Sequence, residues 1–443
     1  MEHYNNIIIG FGKGGKTLAK KLAAQGETVL MIEKSDGMYG GTCINVGCLP
    51  SKNLRVSSTA HVPFADAIAK KRTLIGKLRD KNYHMLADDP NITVVNGTGR
   101  FVNNNTVEIT TPVGTTQTAT GTRLFINTGA TPTILPIPGL ADNPHVVDST
   151  GIMELDALPN RLVMIGAGYI GLEFASMFCD FGSTVTVLDT LDRLMPREDD
   201  ELAQLVKTDL TSDGVRFELS AKISKVDNQG THSTVHYEKD GETHSVDADI
   251  ILVATGRKPN TADLGLENTD IEVTNRGAIV VNDKLETTAP NVWAIGDVTG
   301  GLQFTYVSLD DFRIITNNLF GDKTRTTTDR NVVPYTVFLS TSFSHVGLTE
   351  AAAKSKGYAT KTFSAPTATS PKANVMGKTR GMVKIVVDEK TNLFLGATIY
   401  AEESHEVINL IALAMKANLP YTMLRDMLYT HPTMSEMLND LLK

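Results

Sequence analysis

Two short apolar runs, Ile7-Ile8-Ile9 and Leu162 to Ile165, each end at a glycine-rich turn and give way to apolar residues at helical spacing. The first leads into Gly10-x-Gly12-x-x-Gly15, then Leu18, Leu22 and Ala23, then a second apolar run, Thr28 to Ile32, that stops at Glu33. The second leads into Gly166-x-Gly168-x-x-Gly171, then Leu172, Ala175, Met177 and Phe178, then Thr184 to Leu188, stopping at Asp189. Apolar runs bounded by glycine read as buried strands, and the change of period reads as a helix between them. In both copies the acid stands 23 positions after the first glycine. Helix length sets that spacing, because the second strand must end where a ribose hydroxyl sits. The glycines allow the tight turn and let a pyrophosphate approach backbone amides at the helix start.

The pattern predicts an α/β chain with two Rossmann-like units, each binding one dinucleotide, a flavin and a nicotinamide. Further along, strand patterns over Met382 to Val387 and Leu393 to Tyr400 flank no such loop and precede a helix over Val407 to Lys416, which predicts an α+β C-terminal domain. The polar stretch Gly321 to Arg330 reads as a linker. The expected division is 1–150 for the flavin, 151–280 for the nicotinamide, 281–330 as a central segment, and 331–443 as the last domain.

At 443 residues the chain is too long for one core, in keeping with that division. The net charge of −8 leaves no basic surplus for nucleic acid or anionic membranes. No apolar run approaches the ~20 residues of a membrane helix. Three cysteines are too few for an extracellular disulfide framework, and the first strand lies too near Met1 for a signal peptide. The expected compartment is the cytoplasm.

Two of those cysteines, Cys43 and Cys48, follow directly on the first nucleotide unit, an arrangement suited to passing electrons. Pro50 is placed to start a helix, which would leave Cys48 at its N-terminus, where the dipole favours a thiolate. A structural zinc would need about four ligands, and no second cysteine pair exists. Asp189 would repel a 2′-phosphate, and Asp192, Glu198, Asp199 and Asp200 dilute the nearby Arg193 and Arg197, so NADH is expected over NADPH. Thr433-Met434-Ser435-Glu436 has the form of a capping box. Cys179 reads as packing, and His405, beside Glu402, Glu403 and Glu406, as a solvated helix start.

With these elements together the chain resembles the pyridine nucleotide-disulfide oxidoreductases, the flavoproteins that include glutathione reductase, dihydrolipoamide dehydrogenase and mercuric reductase. The motifs are Gly41-Thr42-Cys43-Ile44-Asn45-Val46-Gly47-Cys48-Leu49-Pro50-Ser51-Lys52, the links Thr128-Gly129-Ala130 and Ala254-Thr255-Gly256-Arg257, Ala294-Ile295-Gly296-Asp297, and His431-Pro432-Thr433-Met434-Ser435-Glu436. The resemblance implies a glutathione reductase-like fold and a homodimer. It implies FAD at Gly10, Gly12, Gly15, Glu33, Gly41, Thr42, Lys52, Thr128, Gly129, Gly296 and Asp297, and the nicotinamide nucleotide at Gly166, Gly168, Gly171, Asp189 and Gly256. Cys48 is then the charge-transfer thiol and Cys43 the interchange thiol, Lys52 pairs with Glu173, and His431, oriented by Glu436, shuttles a proton from the partner subunit.

Within the family the likeness is to the reactive-chlorine-resistance flavoproteins, described as Cu(II) reductases. It rests on Gly10-Phe11-Gly12-Lys13-Gly14-Gly15-Lys16-Thr17, Met38-Tyr39-Gly40-Gly41, and Gly296-Asp297-Val298-Thr299-Gly300-Gly301-Leu302-Gln303-Phe304-Thr305-Tyr306. It implies Cu(II) as the acceptor, held transiently at Cys43 and Cys48, in defence against oxidative chlorine stress. Soft thiolates select Cu(I) and so favour the reduced product. Other acceptors stay open: lipoamide, which suits His431 and Glu436, and Hg(II), although no cysteine follows Cys179. A copper-sequestering or thiol-sensing protein is the non-catalytic alternative.

Overall fold

The computed structural model describes residues 2–443. The two glycine loops sit in equivalent places of two separate sheets. In the first unit, strand β1 (Glu2–Ile9) leads through the loop into helix α1 (Lys13–Ala23) and strand β2 (Val29–Glu33). Helix α2 (Cys48–Thr59) follows, then strands β3 (Ile92–Asn96) and β4 (Thr116–Ile126). The parallel order is β3-β2-β1-β4, extended antiparallel beyond β4 by Thr106–Thr110 and Thr98–Asn103.

The second unit has strand β5 (Arg161–Ile165), helix α3 (Tyr169–Phe181), strand β6 (Thr184–Leu188) and strand β7 (Ile250–Val253). Its parallel sheet places Arg216–Glu218 beside β6, then β5, β7 and Val146–Val147. The chain returns to the first sheet through β8 (Val292–Ala294), which pairs with β4. Helix α4 (Thr305–Phe320) then packs beside α1. A five-stranded antiparallel sheet and helix α5 (Ser404–Lys416) form the C-terminal part.

The repeat extends to individual hydrogen bonds. The Gly10 amide donates to Ile32 at 2.8 Å and the Gly166 amide to Leu188 at 2.9 Å, closing each loop on its neighbouring strand. Gly10 has φ +102°, and a Cβ there would lie 2.4 Å from the Asn127 carbonyl oxygen; Gly166 has φ +108° and meets Ala254 at 2.6 Å. Only glycine fits either place.

Sheet faces alternate between two apolar layers in each unit. One core runs on from α3 through Leu54 of α2 to Val337, Phe343 and Tyr400 of the C-terminal sheet. That shared core fixes α2, and so the cysteines, against both neighbouring parts of the molecule. Helix α2 begins at Cys48, two residues ahead of the start expected from Pro50, because Gly47 takes the cap position.

Candidate functional site

A cleft of about 640 Å³ runs along the C-terminal ends of the first sheet's strands, where open α/β sheets hold ligands. Glu33 lies on its wall, as do Gly10 and Gly12 of the first loop, Thr42, Cys43 and Cys48 of the thiol segment, and Asp297. Thr128 and Gly129 line it from the link to the second unit. Gly41, with φ +79°, sits so close to the loop that a Cβ would lie 2.6 Å from the Gly12 Cα. Gly15 stands behind the wall, where a Cβ would meet the side-chain Nδ2 of Asn127 at 2.6 Å. The long groove, the two bare backbone stretches and an acid at the β2 end fit a flavin dinucleotide.

The acids ending the second strands repeat one contact. Glu33 Oε2 accepts the Phe11 N–H at 2.9 Å, and Asp189 Oδ2 accepts the Ala167 N–H at 2.6 Å, each from the residue after the first glycine. Burial pushes the Glu33 carboxyl up, against the hydrogen bonds that stabilise its charge. Burial likewise raises Asp297, with Arg257 pulling the other way.

Cys43 is half-buried and Cys48 exposed along the cleft, both as free thiols. The hydrogen bond from Cys48 pulls the Cys43 thiol down to about 6, helped by the Thr305 hydroxyl and the Lys16 and Lys13 charges, against burial. Cys48 is raised by the same hydrogen bond, by the protein enclosing it on its other sides and by the Cys43 charge. The first negative charge therefore rests on Cys43, whereas the helix N-terminus alone places it on Cys48. Alkylation of the reduced protein by iodoacetamide should show a midpoint near pH 6, with about nine-tenths of Cys43 reactive as thiolate at pH 7. A midpoint above pH 8, where an ordinary thiol titrates, contradicts this assignment.

Lys16 and Thr305 are participants the sequence reading gave no role. Lys16 is buried on α1 with its Nζ donating to Asn82 Oδ1, and burial pushes its ammonium down to about 8. Its place straight after the glycine loop was visible, but its direction depends on the α1 helix face.

One turn along α2, Lys52 Nζ lies 2.7 Å from Glu173 Oε2 on α3 and 4.8 Å from the Phe338 ring centroid. Glu173 Oε1 accepts the Phe338 N–H at 2.8 Å. Helix α2, helix α3 and the C-terminal domain thus meet at one ion pair. His431 and Glu436 do not line the cleft of their own chain. His431 Nδ1 lies 2.7 Å from Glu436 Oε1, and its side chain is 67% exposed. Glu436 also serves the capping box, accepting the Thr433 N–H at 3.3 Å while its own N–H donates to Thr433 Oγ1 at 3.3 Å. Cys179 Sγ contacts the Asp213 carbonyl oxygen. The His405 ring packs 5.5 Å from Phe338, with Nδ1 buried, so this histidine is less solvated than its acidic neighbours suggested.

Residues 4–311 match the family model of the pyridine nucleotide-disulphide oxidoreductases, and residues 333–442 match that family's dimerisation domain. The chain belongs to this family. As a pyridine nucleotide-disulphide oxidoreductase it is an enzyme of FAD and NAD(P)H. It is 47% identical to the probable pyridine nucleotide-disulfide oxidoreductase RclA of Escherichia coli, over 100% of this chain and 99% of that one. The solved Cu(II) complex of the HOCl-induced flavoprotein disulfide reductase RclA from Escherichia coli superposes with a TM-score of 0.97 at the same identity and coverage. A mercuric reductase of Bacillus cereus is 37% identical over 98% of this chain and 70% of its own length. The glutathione reductase-like α/β fold expected from the motifs is the one observed. No helix among the described residues is long and apolar enough to cross a membrane.

Proposed function

We propose that this oxidoreductase is an NADH-dependent FAD enzyme that passes electrons through Cys43 and Cys48 to Cu(II), in defence against reactive chlorine. In this reading residues 1–150 hold FAD, 151–280 hold NADH, 281–330 complete the flavin site, and 331–443 form a cytoplasmic homodimer. The observation that carries the reading is that two free thiols five residues apart, Cys43 and Cys48, both line the wall of the cofactor cleft. The chemistry FAD supplies when bound is hydride acceptance from the nicotinamide and delivery of an electron pair to the disulfide. Cys43 and Cys48 then bind the metal as thiolates. The two thiol protons leave as the thiolates form, and oxidation of the two thiolates to the disulfide releases two electrons, so two Cu(II) leave as Cu(I). Likeness to RclA, whose Cu(II) complex is known, supports this acceptor. A copper-sequestering protein or thiol sensor would bind the metal without sustained turnover.

NADH is favoured because Asp189 follows directly on β6 beside the second glycine loop, where a carboxylate would repel a 2′-phosphate. Arg193 cannot offset it, since it pairs with Asp200 and donates to the Glu198 carbonyl oxygen at 3.0 Å. The His431–Glu436 pair favours a second reading, dihydrolipoamide dehydrogenase; a Geobacillus stearothermophilus dihydrolipoyl dehydrogenase is 31% identical over 97% of this chain. An acceptor panel of Cu(II), Hg(II), lipoamide and oxidised glutathione, run with NADH and NADPH, separates these. The expected result is sustained NADH oxidation that depends on Cu(II) and yields a pair of Cu(I) ions per NADH. Fast lipoamide turnover with negligible copper activity overturns the copper reading, and equal or better rates with NADPH overturn the coenzyme preference.

A further inference from the structure

Helix α4 touches both halves of the flavin cradle with two residues one turn apart. Ser308 Oγ accepts the Gly14 N–H at 3.1 Å, in the first turn of α1, and Asp311 Oδ2 accepts the Gly296 N–H at 2.7 Å, next to Asp297. Ser308 lies on the cleft wall, and Asp311 stands behind it at 2% exposure. Both approaches are close: a Cβ on Gly14 would lie 2.7 Å from the Ser308 carbonyl oxygen, and one on Gly296 2.9 Å from Ser308 Oγ.

The charge of Asp311 is met from one direction. Arg330 pairs with it and also donates through Nε to Asp310 Oδ2 at 2.7 Å, while Arg325 Nη2 donates to Asp310 Oδ1 at 2.8 Å. Both arginines belong to the connection that enters the C-terminal domain. That connection is tied on its far side as well, where Lys416 at the end of α5 donates to the Asp329 carbonyl oxygen at 3.0 Å. Hydrogen bonds and ion pairs thus run without a break from α5 to the Gly296 amide. A buried carboxylate paired to one guanidinium is an expensive arrangement if it serves stability alone.

We propose that Asp311 is a positioning residue for the flavin cradle: held by Arg330, its carboxylate fixes the Gly296-Asp297 turn against the first glycine loop, so that the 325–330 connection governs how tightly FAD is held. The inference rests on the family's flavin site and is independent of the acceptor and of the coenzyme choice.

The test uses deflavinated full-length protein titrated with FAD, followed by quenching of flavin fluorescence, with thermal melts of each variant alongside. Asp311→Leu should weaken FAD binding by about 10- to 100-fold, the range for losing one buried charged hydrogen bond. Asp311→Asn, which keeps an acceptor for the Gly296 amide, should recover part of it. Arg330→Met should weaken binding less than Asp311→Leu but measurably. The double variant Asp311→Leu/Arg330→Met removes the stranded guanidinium, so it should regain thermal stability yet still bind FAD weakly. It also carries the test if Asp311→Leu fails to fold. A double variant with the original FAD affinity overturns the assignment to Asp311, and an unchanged affinity in Arg330→Met overturns the role of the connection.

Discussion

Replacing either Cys43 or Cys48 with serine should lower acceptor reduction on the order of 10³-fold or more, while NADH still bleaches the visible flavin absorbance in a single turnover. The split follows from where the thiols stand. They line the cofactor cleft, but the acids and glycines proposed to hold the dinucleotides lie elsewhere on its wall or in the second unit. Serine is close to isosteric and keeps a hydrogen-bond donor, so the fold and the flavin should survive.

The two positions should differ in a second respect. In Cys48→Ser the hydroxyl can replace the sulfur as donor, whereas in Cys48→Ala the thiol of Cys43 loses the hydrogen bond that contributes most to its low titration and retains only Thr305 and the lysine charges. Its alkylation midpoint in Cys48→Ala should therefore rise from about 6 towards the ordinary thiol value near 9. In Cys43→Ser the remaining Cys48 loses a negative neighbour and should titrate lower than in the reduced pair. Stopped-flow absorbance and pH-dependent alkylation check both statements. Retention of wild-type Cu(II) turnover in either variant would remove the dithiol from the pathway altogether.

Much of this layout was legible because it is local. Each nucleotide unit is one short segment whose strand, glycine loop, helix and acid follow in order, so spacing alone located Gly10 and Gly166. The β2 and β6 end points at Glu33 and Leu188 follow from the same reading. The contacts that tune the site are non-local. Lys52 meets Glu173 across 121 positions, and Gly14 meets Ser308 across 294. No period or turn signal marks such partners; motif resemblance supplied the first and nothing supplied the second. The ionisation of the thiols was likewise hidden. A helix start at Cys48 is a local feature that favours its thiolate, but Thr305 and Lys16 arrive from α4 and α1 and favour Cys43 instead.

His431→Ala should cost about 10²–10⁴-fold in turnover of the dithiol, the usual contribution of a positioned acid–base group. The Glu436 carboxylate can only accept, so the His431 Nδ1–H donates to it and Nε2 is left to take a proton. The hydrogen bond from His431 holds the Glu436 carboxyl below its ordinary range, which keeps that acceptor charged through the working pH. Within one chain, however, this histidine is not among the residues that line the cleft, so the role proposed for it calls for a second copy. Mixing inactive Cys43→Ser protein with inactive His431→Ala protein, under conditions that exchange subunits, creates dimers in which one site carries both an intact thiol pair and an intact histidine. Turnover should then return to about a quarter of the unmutated value, since half the dimers are mixed and each holds one competent site. If native mass spectra show exchange and the mixture stays as inactive as its parents, His431 does not serve the thiols across a dimer.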